Sequence, residues 1–125
     1  MKTQQEALRA AFALEANDRL ARASEELQAH LDGPALDRLH QEFDSLFGAA
    51  RAVNCRSTER VARTCAELAR WLRREQAGAA GPDVDLLRQG MTILEKTVGT
   101  GTPCDEQPVG EDIQGFLEAV QQRTE

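Results

Sequence analysis

An all-α fold, an up-down four-helix bundle with an additional fifth helix, is predicted by three observations. Residues that lose little rotamer freedom in a helix (Ala, Leu, Arg, Glu and Gln) dominate the chain, and Tyr is absent. Apolar residues recur every three or four positions in five successive stretches, the period that gives a helix one buried face. Runs of β-branched and aromatic residues at strand-like alternation are missing. The 125 residues suit one domain spanning positions 1–125, with enough chain to bury a single core.

The first helix is expected over residues 3–31, where Leu8, Phe12, Ala16, Leu20, Ala23, Leu27 and Leu31 share a face. Asp32-Gly33-Pro34 stops it, Gly acting as a C-terminal breaker and Pro suiting the first turn of the next helix. The second helix, over residues 35–53, has the stripe Leu36, Leu39, Phe43, Leu46, Ala50 and Val53, and Asn54 ends it. Ser57 is a good N-cap for the third, with Glu59 in its first turn and Val61, Cys65, Leu68 and Leu72 as its stripe. Residues 77–82 read as a loop, and Asp83 is placed to cap the fourth helix. There Val84, Leu87, Met91, Leu94 and Val98 keep the heptad spacing of near-antiparallel bundle packing. Residues 99–108, rich in Gly, Thr and Pro, are the expected flexible stretch. A last helix over 111–123 presents Ile113, Phe116, Leu117 and Val120. The short connections between the second, third and fourth helices imply antiparallel neighbours.

The formal net charge is -6, which argues against nucleic acid as a partner, because phosphate binding needs clustered Lys and Arg. The basic run Arg70-Trp71-Leu72-Arg73-Arg74 reads as a helix C-terminal turn complementing the dipole, and Trp71, one step off its stripe, as a cap on the lower layer of the bundle. His30, near the end of the first helix, favours the dipole in the same way. Cys55, Cys65 and Cys104 lack metal-type spacing, and their odd number suggests reduced thiols in the cytosol, with Cys65 at a core position. No apolar stretch is long enough to span a bilayer, and the start lacks the apolar run of a signal peptide. A cytoplasmic protein with no membrane partner, no metal and no cofactor is the expectation.

On a helical wheel the second helix carries its unusual residues outside the buried stripe. Asp44 and Gly48 fall on the far side, His40 and Arg51 on the flank, and Phe47 between the buried and exposed faces. Glycine in a helix interior destabilises by about 1 kcal/mol relative to Ala. On an outward face it lets another protein's backbone approach, and an aromatic beside it can anchor a contact. Gly48 is equally open to a reading as a site of close helix packing, and Phe47 as a peripheral core residue.

The segment Asp44-Ser45-Leu46-Phe47-Gly48-Ala49-Ala50-Arg51-Ala52-Val53-Asn54 resembles the signature of histidine phosphotransfer domains, close to His-Ser-Leu-Lys-Gly-Ala-Ala-Arg-Ala-Val-Gly. It is most similar to the phosphotransfer domain that opens CheA-type chemosensory kinases. The long first helix, Gly33-Pro34, Ala62-Arg63, the Leu86-Leu87 helix and the closing helix from Ile113 to Val120 extend the likeness over nearly the whole chain. The resemblance implies a phosphotransfer-type helical bundle in two-component or chemosensory signalling. Its implied partners are a response-regulator receiver domain or a histidine kinase domain, docked on the second and third helices.

The departures from that signature fall on its reacting residues. The phosphoacceptor histidine of the family aligns with Asp44, and its lysine three residues later with Phe47. The histidine and glutamate that support the acceptor in CheA-type members align with Arg63 and Ala66, and Glu67 is expected to point differently. A phosphorelay needs a nucleophilic ring nitrogen with its tautomer fixed, and Asp44 supplies none. Phosphorylated aspartates elsewhere need further carboxylates and magnesium, which Ser45, Phe47, Gly48 and Arg51 do not offer.

A degenerate, non-enzymatic phosphotransfer domain acting as a protein-binding module is therefore expected, with His40, Asp44, Phe47, Gly48, Arg51 and Arg63 as contact residues. Arg51 and Arg63 are expected to bracket Asp44, giving it an ion pair, and His40 to pair with it loosely at i, i+4. Two other readings stay open: an active phosphotransfer protein using His40, and a helical-bundle adaptor outside phosphorelays.

Overall fold

The computed structural model describes residues 3–29, 31–75, 81–99 and 110–124. They form five helices: α1 (Gln4–Gln28), α2 (Gly33–Ala52), α3 (Arg56–Glu75), α4 (Pro82–Gly99) and α5 (Glu111–Thr124). No strand occurs among the described residues.

Side chains from opposite ends of successive helices meet, so each helix runs against its predecessor. Arg38 of α2 pairs with Glu26 of α1 at 2.6 Å, and Arg22 with Glu42 at 3.3 Å. Arg73 near the end of α3 reaches Asp37 near the start of α2. The Thr58 hydroxyl at the start of α3 donates to Thr97 at the end of α4. Arg123 at the end of α5 binds Asp83 at the start of α4 at 2.6 Å. α1 also packs on α4, which closes α1–α4 into an up-down four-helix bundle, and α5 lies against α3 and α4.

The predicted stripes of α2, α3 and α4 are buried throughout, and Phe43, Leu39, Leu46, Val61, Cys65, Leu68, Leu87 and Leu94 sit at the centre. α3 approaches α2 along Ala62, Ala66 and Ala69, all buried, whose short side chains let the helices lie close. Gly90 does the same for α4: a Cβ there would stand 2.5 Å from Cys65 Sγ and 2.6 Å from Phe116 Cζ. Trp71 is half-buried against the core, with the Arg123 guanidinium 5.0 Å from its ring centroid.

The ends of the helices differ from the sequence reading in several places. Leu8 is about half exposed rather than buried, because the first turns of α1 extend past the core. Asp32, read as part of a helix stop, is the N-cap of α2 and accepts from the Ala35 amide at 2.9 Å, with Pro34 in the first turn. Ser57 is not a cap: α3 starts at Arg56, and the Cys55 carbonyl takes the first helical bond, from Glu59 N at 2.8 Å. Asp83 lies inside the first turn of α4 and is held by Arg123, while Gly81, at φ +102°, makes the turn before Pro82. Asn54 ends α2 in the left-handed region at φ 60°, a conformation Asn tolerates better than most residues.

Cys65 carries a free thiol in the core, and burial pushes its pKa far above the ordinary range. Cys55 is disulfide-bonded, contrary to the expectation of reduced thiols. Cys104, His30 and the expected loops over 77–80 and 100–108 lie outside the described residues. Among the described residues no helix is long and apolar enough to cross a membrane.

Candidate functional site

The outward face of α2 is positioned by what its inward face buries. Leu39, Phe43, Leu46 and Ala50 are all 1% exposed or less, which fixes the rotation of the helix. Asp44 and Gly48 must then point away from the core, and both are exposed. Asp44 has no hydrogen-bond or ion-pair partner among the described residues.

The bracketing of Asp44 by arginines does not occur. Arg63 turns along α3 to Glu67, Nε to Oε1 at 3.2 Å, and its guanidinium carbon stands 6.0 Å from the centroid of the Phe47 ring. This i, i+4 partner lies nearer than a carboxylate on the next helix, and the aromatic face offers a cation a second contact. Arg51 is exposed in the last turn of α2, where its charge complements the helix dipole. Glu67 is exposed and accepts from Arg63.

His40 does not pair with Asp44 either. Its Nδ1 lies 2.9 Å from the Ala66 carbonyl of α3, and the ring is half-buried between the helices. A carbonyl only accepts, so Nδ1 carries the proton and donates it, and in the neutral ring Nε2 keeps its lone pair. No residue pattern signals this contact, because a backbone carbonyl on another helix leaves no mark in residue types.

Phe47 is half-buried, packed on the core, with Arg63 over its ring face. Gly48 has open space around it, since a Cβ built there meets nothing within 4 Å. Close helix packing is thereby removed as an explanation for this glycine. Asp44, Gly48 and Arg51 are exposed on α2, His40 and Phe47 are half-buried beside α3, and Arg63 of α3 reaches this group at the Phe47 ring. Among the described residues no group of three or more His, Cys, Asp or Glu is placed to hold a metal ion.

The fold and this surface define an antiparallel helical bundle with an uncompensated carboxylate, a half-exposed aromatic and an open glycine in a row on one helix. Comparisons of the chain with protein-family models, with characterised proteins and with solved structures give no significant match.

Proposed function

We propose that the chain is a non-catalytic pseudo-phosphotransfer protein. On this reading it docks a response-regulator receiver domain or a histidine kinase domain on the outward face of α2 and the adjoining edge of α3. Gly48 carries the reading. A helix-interior glycine with nothing near its Cβ position weakens the helix and relieves no internal clash. Gly115 of α5 is open in the same way, so what singles out Gly48 is its place beside Phe47 and Asp44: its use is read as external, allowing a partner's backbone close to α2, with Phe47 as the adjoining apolar contact and Asp44 as an unneutralised charge. The signature around Asp44 supplies the class of partner by resemblance.

Asp44 in place of an imidazole leaves no ring nitrogen for phosphoryl transfer, and its charge repels an incoming phosphoryl group. The role is therefore to hold or sequester a signalling protein. Cytoplasmic residence belongs to this reading through its partners. The Cys55 disulfide weighs against it, because reducing compartments keep most such thiols free.

A second reading rests on one observation, the Nδ1–H of His40 fixed on the Ala66 carbonyl, which leaves Nε2 as a potential nucleophile. Incubation with a radiolabelled, autophosphorylated histidine kinase separates the two. No acid-labile label on the chain is expected; label lost in His40→Gln would establish the second reading instead. The double substitution Asp44→His and Phe47→Lys is expected to leave the helical circular dichroism unchanged, since neither side chain belongs to the fully buried core. Slow acid-labile phosphorylation of that variant would support the ancestry the resemblance implies.

A further inference from the structure

α3 is a basic helix in an acidic protein. It holds six arginines and three glutamates, while the whole chain has net charge -6. Its inward side is apolar, and most of its exposed residues fall into one line, Arg56, Arg60, Arg63, Glu67, Arg70 and Arg74, with Arg73 and Glu75 exposed beside its end. At 1.5 Å per residue that line is about 27 Å long. Arg63 is paired with Glu67, whereas Arg56, Arg60, Arg70 and Arg74 have no ion-pair partner among the described residues.

At the C-terminal end the arginines have an internal use, because cations there complement the helix dipole. Arg56 and Arg60 have the opposite relation to the fold. Arg56 is the first residue of α3, where a positive charge faces the positive end of the dipole. Arg56 and Arg60 stand four apart, and Arg60 and Arg63 three apart, spacings at which like charges destabilise a helix. Arg56 and Arg60 oppose folding of their own helix and have no ion pair in the described structure. A partner that brings carboxylates would relieve both effects.

Beside them runs a shallow groove between α3 and α5, of about 390 Å³. Arg60, Arg63, Thr64 and Glu67 form one wall, and Leu117, Gln121 and Thr124 the other, with Val120 almost fully buried beneath. The Thr64 hydroxyl is already used, donating to the Arg60 carbonyl, so the free donors of this wall are guanidinium groups. The unpaired Arg60, with Arg56 one turn before it and the half-buried Leu117 across the groove, matches a helix with carboxylates on one flank and an aliphatic contact on the next.

We propose that Arg56, Arg60 and the α3–α5 groove form a docking surface for an acidic amphipathic helix of a partner protein. Nucleic acid and anionic lipid are disfavoured, because each presents an extended negative surface to a molecule whose net charge is also negative. The inference does not rest on the phosphorelay reading, since neither arginine belongs to the Asp44–Gly48 face.

The test uses the intact chain and a fluorescein-labelled amphipathic peptide of roughly 18 residues, long enough to be helical, with Glu along one flank and Leu along the next. A counterpart with Gln for Glu, a short DNA duplex and phosphatidylserine-containing vesicles serve as the other probes. Binding of the Glu peptide, weakened by salt, is expected to shift amide resonances in residues 56–67 and 117–124. Arg56→Glu with Arg60→Glu is expected to weaken it about tenfold while the melting temperature holds or rises. Arg56→Gln with Arg60→Gln gives a smaller loss and guards against misfolding of the reversal variant. Asp44→Ala is expected to leave peptide binding unchanged, so failure here and failure of the phosphorelay reading appear in different variants. Equal binding of the Gln peptide, tighter binding of DNA or vesicles, shifts centred elsewhere, or a lower melting temperature in both arginine variants would overturn the proposal.

Discussion

Gly90 and Gly48 both interrupt good helices, yet they answer to different neighbours. Gly90 faces the core, where a methyl group would collide with Cys65 and Phe116, both fully buried. Its lost helix propensity is offset by the close approach of α4 to α3 and α5. Gly48 faces solvent, and a methyl group there would touch nothing within 4 Å. The first glycine is explained by packing inside the molecule; the second, like Gly115 of α5, has no packing explanation among the described residues, and for Gly48 we propose a partner. The same contrast separates the arginines of α3, those of the last turn serving the helix and those of the first turn opposing it.

The contrast can be broken most severely at Gly90. Gly90→Ala overpacks a core whose neighbours cannot swing away, and a loss of about 1–3 kcal/mol is expected, seen as a melting temperature lower by several degrees. An unchanged melting temperature would mean that α4 stands further from α3 than described.

The same buried corner gives a pH test. Burial keeps Cys65 protonated in the folded protein, whereas the unfolded thiol ionises near its ordinary value of 9.0. Above that pH the unfolded state binds fewer protons, so this group's contribution to stability is lost as pH rises, at most about 1.4 kcal/mol per pH unit. Urea unfolding between neutral and alkaline pH should show this slope, and Cys65→Ala should remove it. A slope that survives the substitution would assign the effect to other groups.

At Gly48 the expected change is smaller and opposite in sign. Gly48→Ala should stabilise the protein by about 0.5–1 kcal/mol, since helix propensity is gained and no clash is made. Destabilisation would show that α2 is buried on this side.

The register of the bundle was legible because apolar periodicity and core burial are the same fact seen twice. The stripe from Leu36 to Val53 and that from Val84 to Val98 are buried residue for residue. The facing of Asp44, Phe47 and Gly48 followed from it by geometry alone. Helix starts were less legible: Ser57 and Asp83 have capping chemistry, but backbone bonds accepted by the Cys55 and Gly81 carbonyls begin those helices. Cross-helix contacts were not legible at all. His40 leaves Asp44 for the Ala66 carbonyl, and Arg63 prefers its own helix and the Phe47 ring, choices set by distances no spacing rule contains. The arginine line on α3 was present in the residue types, but without the partners of each charge Arg56 and Arg60 could not be told from an ordinary solvated face.

The outward face of α2 is tested most directly by titrating the isotope-labelled chain with receiver and kinase domains from its own source and recording amide resonances. At least one such domain is expected to shift residues 40–51 and Arg63, and to do so more weakly in the stabilised Gly48→Ala variant. Receiver and kinase domains that leave these resonances unmoved, or that move them equally in the variant, would contradict a signalling partner on this helix.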